Sequence, residues 1–210
     1  MREVPPAASA PSQPPGALRE GRAYQVVPAD SLLSILMFRG GALAKAGHNH
    51  VIASHTLSGT AWVPDDATHA SFEIHAAVNE FTIDEPQLRA LEGNEFAAEV
   101  PDSAREGTRK NMLSESMLDG ARYPEVVLTS GALESGPEGM LAQVSVGIRG
   151  QTRTVTVPIR YEVKGNELSA QGQLSLKQTD LGLTPFSLLG GALRVEDEMT
   201  VKFFVVARAE

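Results

Sequence analysis

Residues 154–176 read TVTVPIRYEVKGNELSAQGQLSL. Val155, Val157, Ile159, Tyr161 and Val163 alternate with Thr154, Thr156 and Arg160. Beyond Gly165-Asn166, Leu168, Ala170, Gly172, Leu174 and Leu176 follow at strict period two. Alternation at this period puts every second side chain on one face of a half-buried strand. A Gly-Asn pair between two such runs is a hairpin turn. The stretch therefore reads as two long antiparallel strands.

The same pattern recurs on both sides. Leu57, Gly59, Ala61 and Val63 alternate with Ser58, Thr60 and Trp62. Phe72, Ile74, Ala76 and Val78 alternate with Glu73, His75 and Ala77, and the turn residues Pro64-Asp65-Asp66 separate the two runs. Leu32, Ser34, Leu36 and Phe38 interleave with Leu33, Ile35 and Met37, so that run is apolar on both parities. Further strands are expected at Val126–Leu128, Met140–Ile148 and Val201–Ala207. The middle differs. Residues 86–99 leave room for a short helix. Residues 103–119 place Met112, Leu113, Met117 and Leu118 at helical spacing, with Asp102 or Ser103 to cap the start and Gly120 to end it.

The count is eight or nine strands, mostly antiparallel, with one or two inserted helices: a mainly β chain, barrel or sandwich. Closing about eight strands can leave an interior that holds one ligand. Gly59, Ala61, Ala76, Ala170 and Gly172 bear on this point. Facing inward they would leave volume unfilled, or they would pack tightly beneath a neighbouring strand.

Composition narrows the function. The chain has 210 residues and a formal net charge of −8. That disfavours a nucleic-acid partner and electrostatic docking on an anionic bilayer. There is no cysteine, which excludes disulfides, Cys-based zinc sites and thiol catalysis. No apolar run approaches the ~18 residues of a spanning helix, so no transmembrane segment is expected. Residues 4–17, VPPAASAPSQPPGA, lack the apolar stretch of a signal peptide. They predict a Pro/Ala-rich disordered tether over residues 1–22, of the kind that follows a removed export signal or simply begins a chain, and a domain over residues 23–210.

Residues 47–52, GHNHVI, carry two of the five histidines. Three readings compete. The imidazoles could hydrogen-bond around a Gly-bounded turn. They could meet a ligand's head group, their charge tunable near neutral pH. Or His48 and His50, sharing one face of a strand, could bind a metal with a third ligand from His55, Glu73 or His75. Other constellations are weaker. Asp30, Ser31, Ser34 and His48 have the residue types of a triad but no nucleophile elbow. Asp65-Asp66, Glu196-Asp197-Glu198 and the arginines flanking Gly150, Arg149 and Arg153, fit solvated turns.

Four segments carry a resemblance: YQVVPADSLLSILMF from Tyr24, KNMLSESMLDGARYPEVVLTSGAL at 110–133, VSVGIRGQTRTVTVPIRYEV at 144–163 and LKQTDLGL at 176–183. Together they resemble the YceI-like family of bacterial lipocalin-like polyisoprenoid-binding proteins, in a variant with a longer Gly40–Ser54 connection carrying GHNH. The resemblance implies an extended antiparallel lipocalin-like β-barrel with an elongated apolar cavity. It implies a non-enzymatic binder or carrier of a long-chain isoprenoid or other lipid, periplasmic or secreted, often a homodimer, with no cofactor beyond that ligand. On this reading Phe38, Leu57, Phe72, Ile74, Val146, Ile159 and Leu174 are the candidate cavity wall, and His48 and His50 candidate head-group contacts. The alternative is a metal-binding protein or metal-dependent hydrolase using His48 and His50. A third reading is a structural partner in an envelope complex, with a filled interior.

Overall fold

The computed structural model describes residues 19–136 and 139–209. The expected tether over residues 1–22 lies outside the described residues except for its last four, and Arg22 already belongs to a strand. The strands are β1 (Arg22–Val26), β2 (Leu32–Gly40), β3 (His50–Ser54), β4 (Ser58–Val63), β5 (Ser71–Ala77), β6 (Thr82–Ile83), β7 (Glu125–Gly136), β8 (Gly139–Ile148), β9 (Gln151–Lys164), β10 (Glu167–Lys177), β11 (Ser187–Leu188) and β12 (Leu193–Arg208). Two helices are inserted, α1 (Pro86–Ala90) and α2 (Asp102–Leu113).

Eight strands close an antiparallel barrel in the order β1-β4-β5-β7-β8-β9-β10-β12, with β12 pairing back onto β1. On β12 the barrel also carries β2, then β3 on β2 and β6 on β3. β1 and β2 act as one broken strand along β12. Pro28 cannot donate to a ladder, and the chain makes a 3-10 turn at Pro28–Asp30. The buried Ser31 hydroxyl repairs the break: it donates to Val27 O at 2.8 Å and accepts from Val206 N at 3.0 Å.

The Gly165-Asn166 turn forms as its residues require, with Gly165 at φ 61. The hairpin it joins pairs over five residue pairs, from Glu167↔Lys164 to Gln171↔Arg160. The helical stretch ends earlier than its spacing suggests. Ser114 turns to an extended conformation, and Leu118 N and Gly120 N then bond back to Met112 O and Leu113 O. The turn folds Met117 and Leu118 under the helix, so the apolar residues converge without a continuous helix. The expected short helix over 86–99 is α1 followed by a 3-10 turn at Asn94–Phe96.

The main core fills and lines the barrel. A second, smaller core lies on the outside of β2 and β3. There Leu36, Val51 and Phe96 are buried together with Phe38 and Leu88 packed on them, beneath α1 and the 94–96 turn.

Candidate ligand cavity

The inward parity of the barrel strands, with β2 and β3, lines a cavity of about 290 Å³. β2 supplies Leu33, Ile35 and Met37, β8 Val144, Val146 and Ile148, β9 Val155, Val157 and Ile159, and β12 Met199, Val201, Phe203 and Val205. Among the lining residues only Ser71, Tyr161 and Gln178 have polar side chains, and none is charged. The Gln178 amide is turned to the backbone and donates to Glu196 O at 2.8 Å. Burial pushes the Tyr161 phenol above its ordinary pKa. Such a wall offers dispersion and desolvation and almost nothing electrostatic. It has no paired acid and base for proton transfer and no charge to hold an anion.

The small residues divide by role. Ala61, Ala76 and Ala170 lie on the cavity wall and leave it wide. The two glycines instead allow backbones to approach. A Cβ on Gly59 would sit 2.0 Å from Glu73 O, and one on Gly172 would sit 2.3 Å from Pro158 O. At one end of the barrel Tyr24, Leu168 and Ala207 form a buried cluster. At the other, Met112, Met117 and Leu118 come from α2 and its following turn, and Leu181 and Leu183 from the segment after β10.

Of the expected wall residues, Leu57, Phe72, Ile74, Val146, Ile159 and Leu174 lie on the cavity. Phe38 does not. Its ring packs edge-on to Phe96, with centroids 5.7 Å apart, in the outer core. β2 is buried on both faces, so its apolar residues do not reveal which parity faces inward. The other parity, Leu33, Ile35 and Met37, is the one on the wall. Met112 and Leu118 were also missed as wall residues, because nothing local says which side of the barrel the inserted helix covers.

His48 and His50 are likewise absent from the cavity wall. His50 starts β3, and its Nδ1 lies 2.6 Å from Asp84 Oδ2. Its Nε2 is 3.5 Å from Thr108 Oγ1 on α2. Asp84 is wholly buried and also accepts from Val51 N at 2.9 Å and from the buried Arg89 guanidinium. Burial alone would raise the Asp84 carboxyl, but the bonds from His50, Val51 and Arg89 outweigh it and hold the pKa below the usual carboxylate value. Arg89 donates on to Asn49 O at 2.6 Å and Ala98 O at 2.9 Å. Asn49, between the two histidines, is the residue that anchors the segment: its Oδ1 accepts from Arg39 N at 3.0 Å and its Nδ2 donates to Glu95 O at 3.1 Å. The His48 ring sits against that of His50, with centroids 6.3 Å apart.

His55 pairs with Glu85, and His75 with Glu73 and Glu125. Among the described residues no group of three or more His, Asp or Glu is placed to hold a metal ion. In the outer layer the His50 imidazole meets a carboxylate and a hydroxyl, while the His48 ring packs on that of His50.

The sequence pattern of the YceI-like domain matches residues 24–207. The chain belongs to the YceI-like family. Solved structures with the same fold include the BcnA protein of Burkholderia cenocepacia, 19% identical over 87% of this chain and 99% of that one, with a TM-score of 0.62. A polyisoprenoid-binding domain from Saccharophagus degradans, implicated in plant cell wall breakdown, is 13% identical over 90% of this chain and 99% of that one, with a TM-score of 0.57. A YceI protein of Campylobacter jejuni is 10% identical over 73% of this chain and 81% of that one, with a TM-score of 0.52. No curated protein matches the chain. The YceI-like barrel is therefore shared with proteins of very different sequence.

Proposed function

We propose that this YceI-like protein holds the apolar chain of a long amphiphile, a polyisoprenoid or similar lipid, inside its barrel, and that it does so without catalysing a reaction. The observation that carries the reading is the cavity of about 290 Å³ with no charged lining residue. Each five-carbon unit transferred from water to such a wall contributes about 3–4 kcal/mol, at ~0.8 kcal/mol per CH₂. Ordering the flexible chain offsets much of that gain, so the wall favours long apolar ligands and gives little purchase to short polar ones. The likeness to the Saccharophagus polyisoprenoid-binding domain agrees with this class of ligand. The reading carries a periplasmic or secreted location; fractionation of the source cells tests that part.

Native mass spectrometry of protein purified without detergent tests binding. The expected result is a dissociable adduct that fragments as a lipid, or one that forms when geranylgeraniol is added to stripped protein. Ile74→Arg places a guanidinium among lining residues with no counter-charge and is expected to abolish the adduct. Retention of the adduct by a folded Ile74→Arg variant would remove the cavity as the binding site.

A further inference from the structure

The wall of the barrel is not hydrogen-bonded all the way round. β9 stays paired with β8 as far as Gln151, and β10 stays paired with β12 as far as Lys177. The ladder between β9 and β10 themselves ends at Gln171↔Arg160. Continuing its register would set Pro158 against Gln173 and Thr156 against Ser175, and those pairs do not form. The local cause is in the sequence. Ile159 is paired with Met140 of β8, and its carbonyl lies on the β8 side, near Gly139. The alternation of backbone direction then turns Pro158 toward β10, and Pro158 O does approach Gly172. Proline has no N–H to give there, and a proline on a strand edge ends the ladder.

Below that point the two strands present facing edges, each tied only to its outer neighbour. Val155, Val157, Leu174 and Leu176 point into the cavity from the two edges. Thr154, Thr156, Gln173 and Ser175 point outward and are exposed. The seam ends where the turn around Gly182 meets the Gln151 and Arg153 side chains. Through the paired ladders of the wall an apolar chain would have to separate two hydrogen-bonded strands. Parting a ladder strands backbone N–H and C=O groups in an apolar interior.

We propose that the seam between β9 and β10 is the portal of the cavity. The apolar chain enters between Val155–Val157 and Leu174–Leu176, and an uncharged, hydrogen-bonding head group such as an alcohol rests among the hydroxyl and amide side chains on the rim. The proposal rests on the binding function inferred above.

The chain has no cysteine, so thiols introduced by Thr156→Cys and Ser175→Cys are the only ones present. They are bridged as a disulfide or by a short bis-thiosulfonate linker, both reversible with reductant, and the yield is read by mass. Stopped-flow fluorescence with a dansyl-tagged geranylgeranyl amine then gives the rates. Bridging before loading is expected to slow association by about tenfold or more, bridging after loading to slow release to a similar degree, and reduction to restore both. In a second arm, a polyethylene glycol maleimide on Ser175→Cys alone is expected to slow both steps, while the same adduct on Glu134→Cys of β7 leaves them unchanged. Rates that ignore both the bridge and the adduct overturn the portal and leave the cavity reading standing. A native chain that takes up no probe overturns the cavity reading and the portal with it.

Discussion

The two faces of β2 and β3 do opposite things. Their inner face, with Leu33, Ile35, Met37 and Ile52, looks onto the cavity. Their outer face is covered by α1 and the 94–96 turn, and beside that cover lie Asn49, His50, Asp84 and Arg89, joined through their side chains and backbone. The outer layer holds the residue types that usually signal chemistry, yet their polar atoms bond to other parts of the chain. The inner layer is almost wholly apolar and surrounds an unfilled volume. In this protein the conspicuous polar residues build the scaffold, and the plain ones line the cavity.

The largest effect expected from breaking the outer layer comes from Asp84→Asn. Asp84 lies at φ 55, which asparagine tolerates, so the change removes charge with little backbone strain. It leaves the buried Arg89 guanidinium without its counter-ion, which costs about 3–5 kcal/mol. Urea unfolding should report that loss, while geranylgeraniol retention below the melting temperature stays as in the native chain. Loss of binding at full stability would instead join the two layers functionally. The same carboxylate sets a pH dependence. Its pKa is lower folded than unfolded, so its stabilising contribution is complete above the ordinary aspartate range. That contribution is lost as pH falls through the folded value. Unfolding curves recorded downward from pH 5 should therefore show a steeper acid limb for the native chain than for Asp84→Asn.

Phe38→Ala sharpens the comparison on the apolar side. The ring is half-buried and packs on Phe96 rather than on the cavity. Its removal should destabilise the fold by about 2 kcal/mol, less than a fully buried phenylalanine, and leave ligand affinity unchanged. Met37→Ala, one residue away on the opposite face, enlarges the cavity and should alter which prenyl chain length binds best. Paired titrations with geraniol, farnesol and geranylgeraniol separate the two variants. Identical profiles for both would mean that the parity of β2 does not govern the site.

These residues also mark how far the sequence could be read. The barrel is legible because most of its strands have one face on the core and one outside, so period two survives in β4, β5, β9 and β10. It fails on β2, where a second core covers the outer face and both parities are apolar. β3 is hidden for a related reason: it begins inside GHNH, in a segment whose length suggests a loop. The partners that explain the histidines stand far along the chain. Asp84 is 34 residues from His50, and no local pattern announces the contact. The end of the β9–β10 ladder, by contrast, has a local sign in Pro158, and only the backbone direction at that position shows that the proline faces the neighbouring strand.

The smallest expected effect belongs to His48, and it is the sharpest test of the division. His48 is half-buried, touches the His50 ring, lies off the cavity wall and takes no part in the bonds that anchor Asn49 and Asp84. His48→Ala should therefore shift stability by no more than about 0.5 kcal/mol, the range of surface substitutions away from special features. Prenol binding should not change, and neither should its pH dependence. A head-group role would appear as weakened binding with a new pH profile, and a metal role as a loss of bound metal measured by elemental analysis. An unaltered variant leaves His50 as the histidine of the pair that matters. Its role is to join β3 to Asp84 and to bring Thr108 of α2, the helix that helps close the cavity, alongside its ring. The outer layer would then influence the ligand only by how firmly it holds that helix.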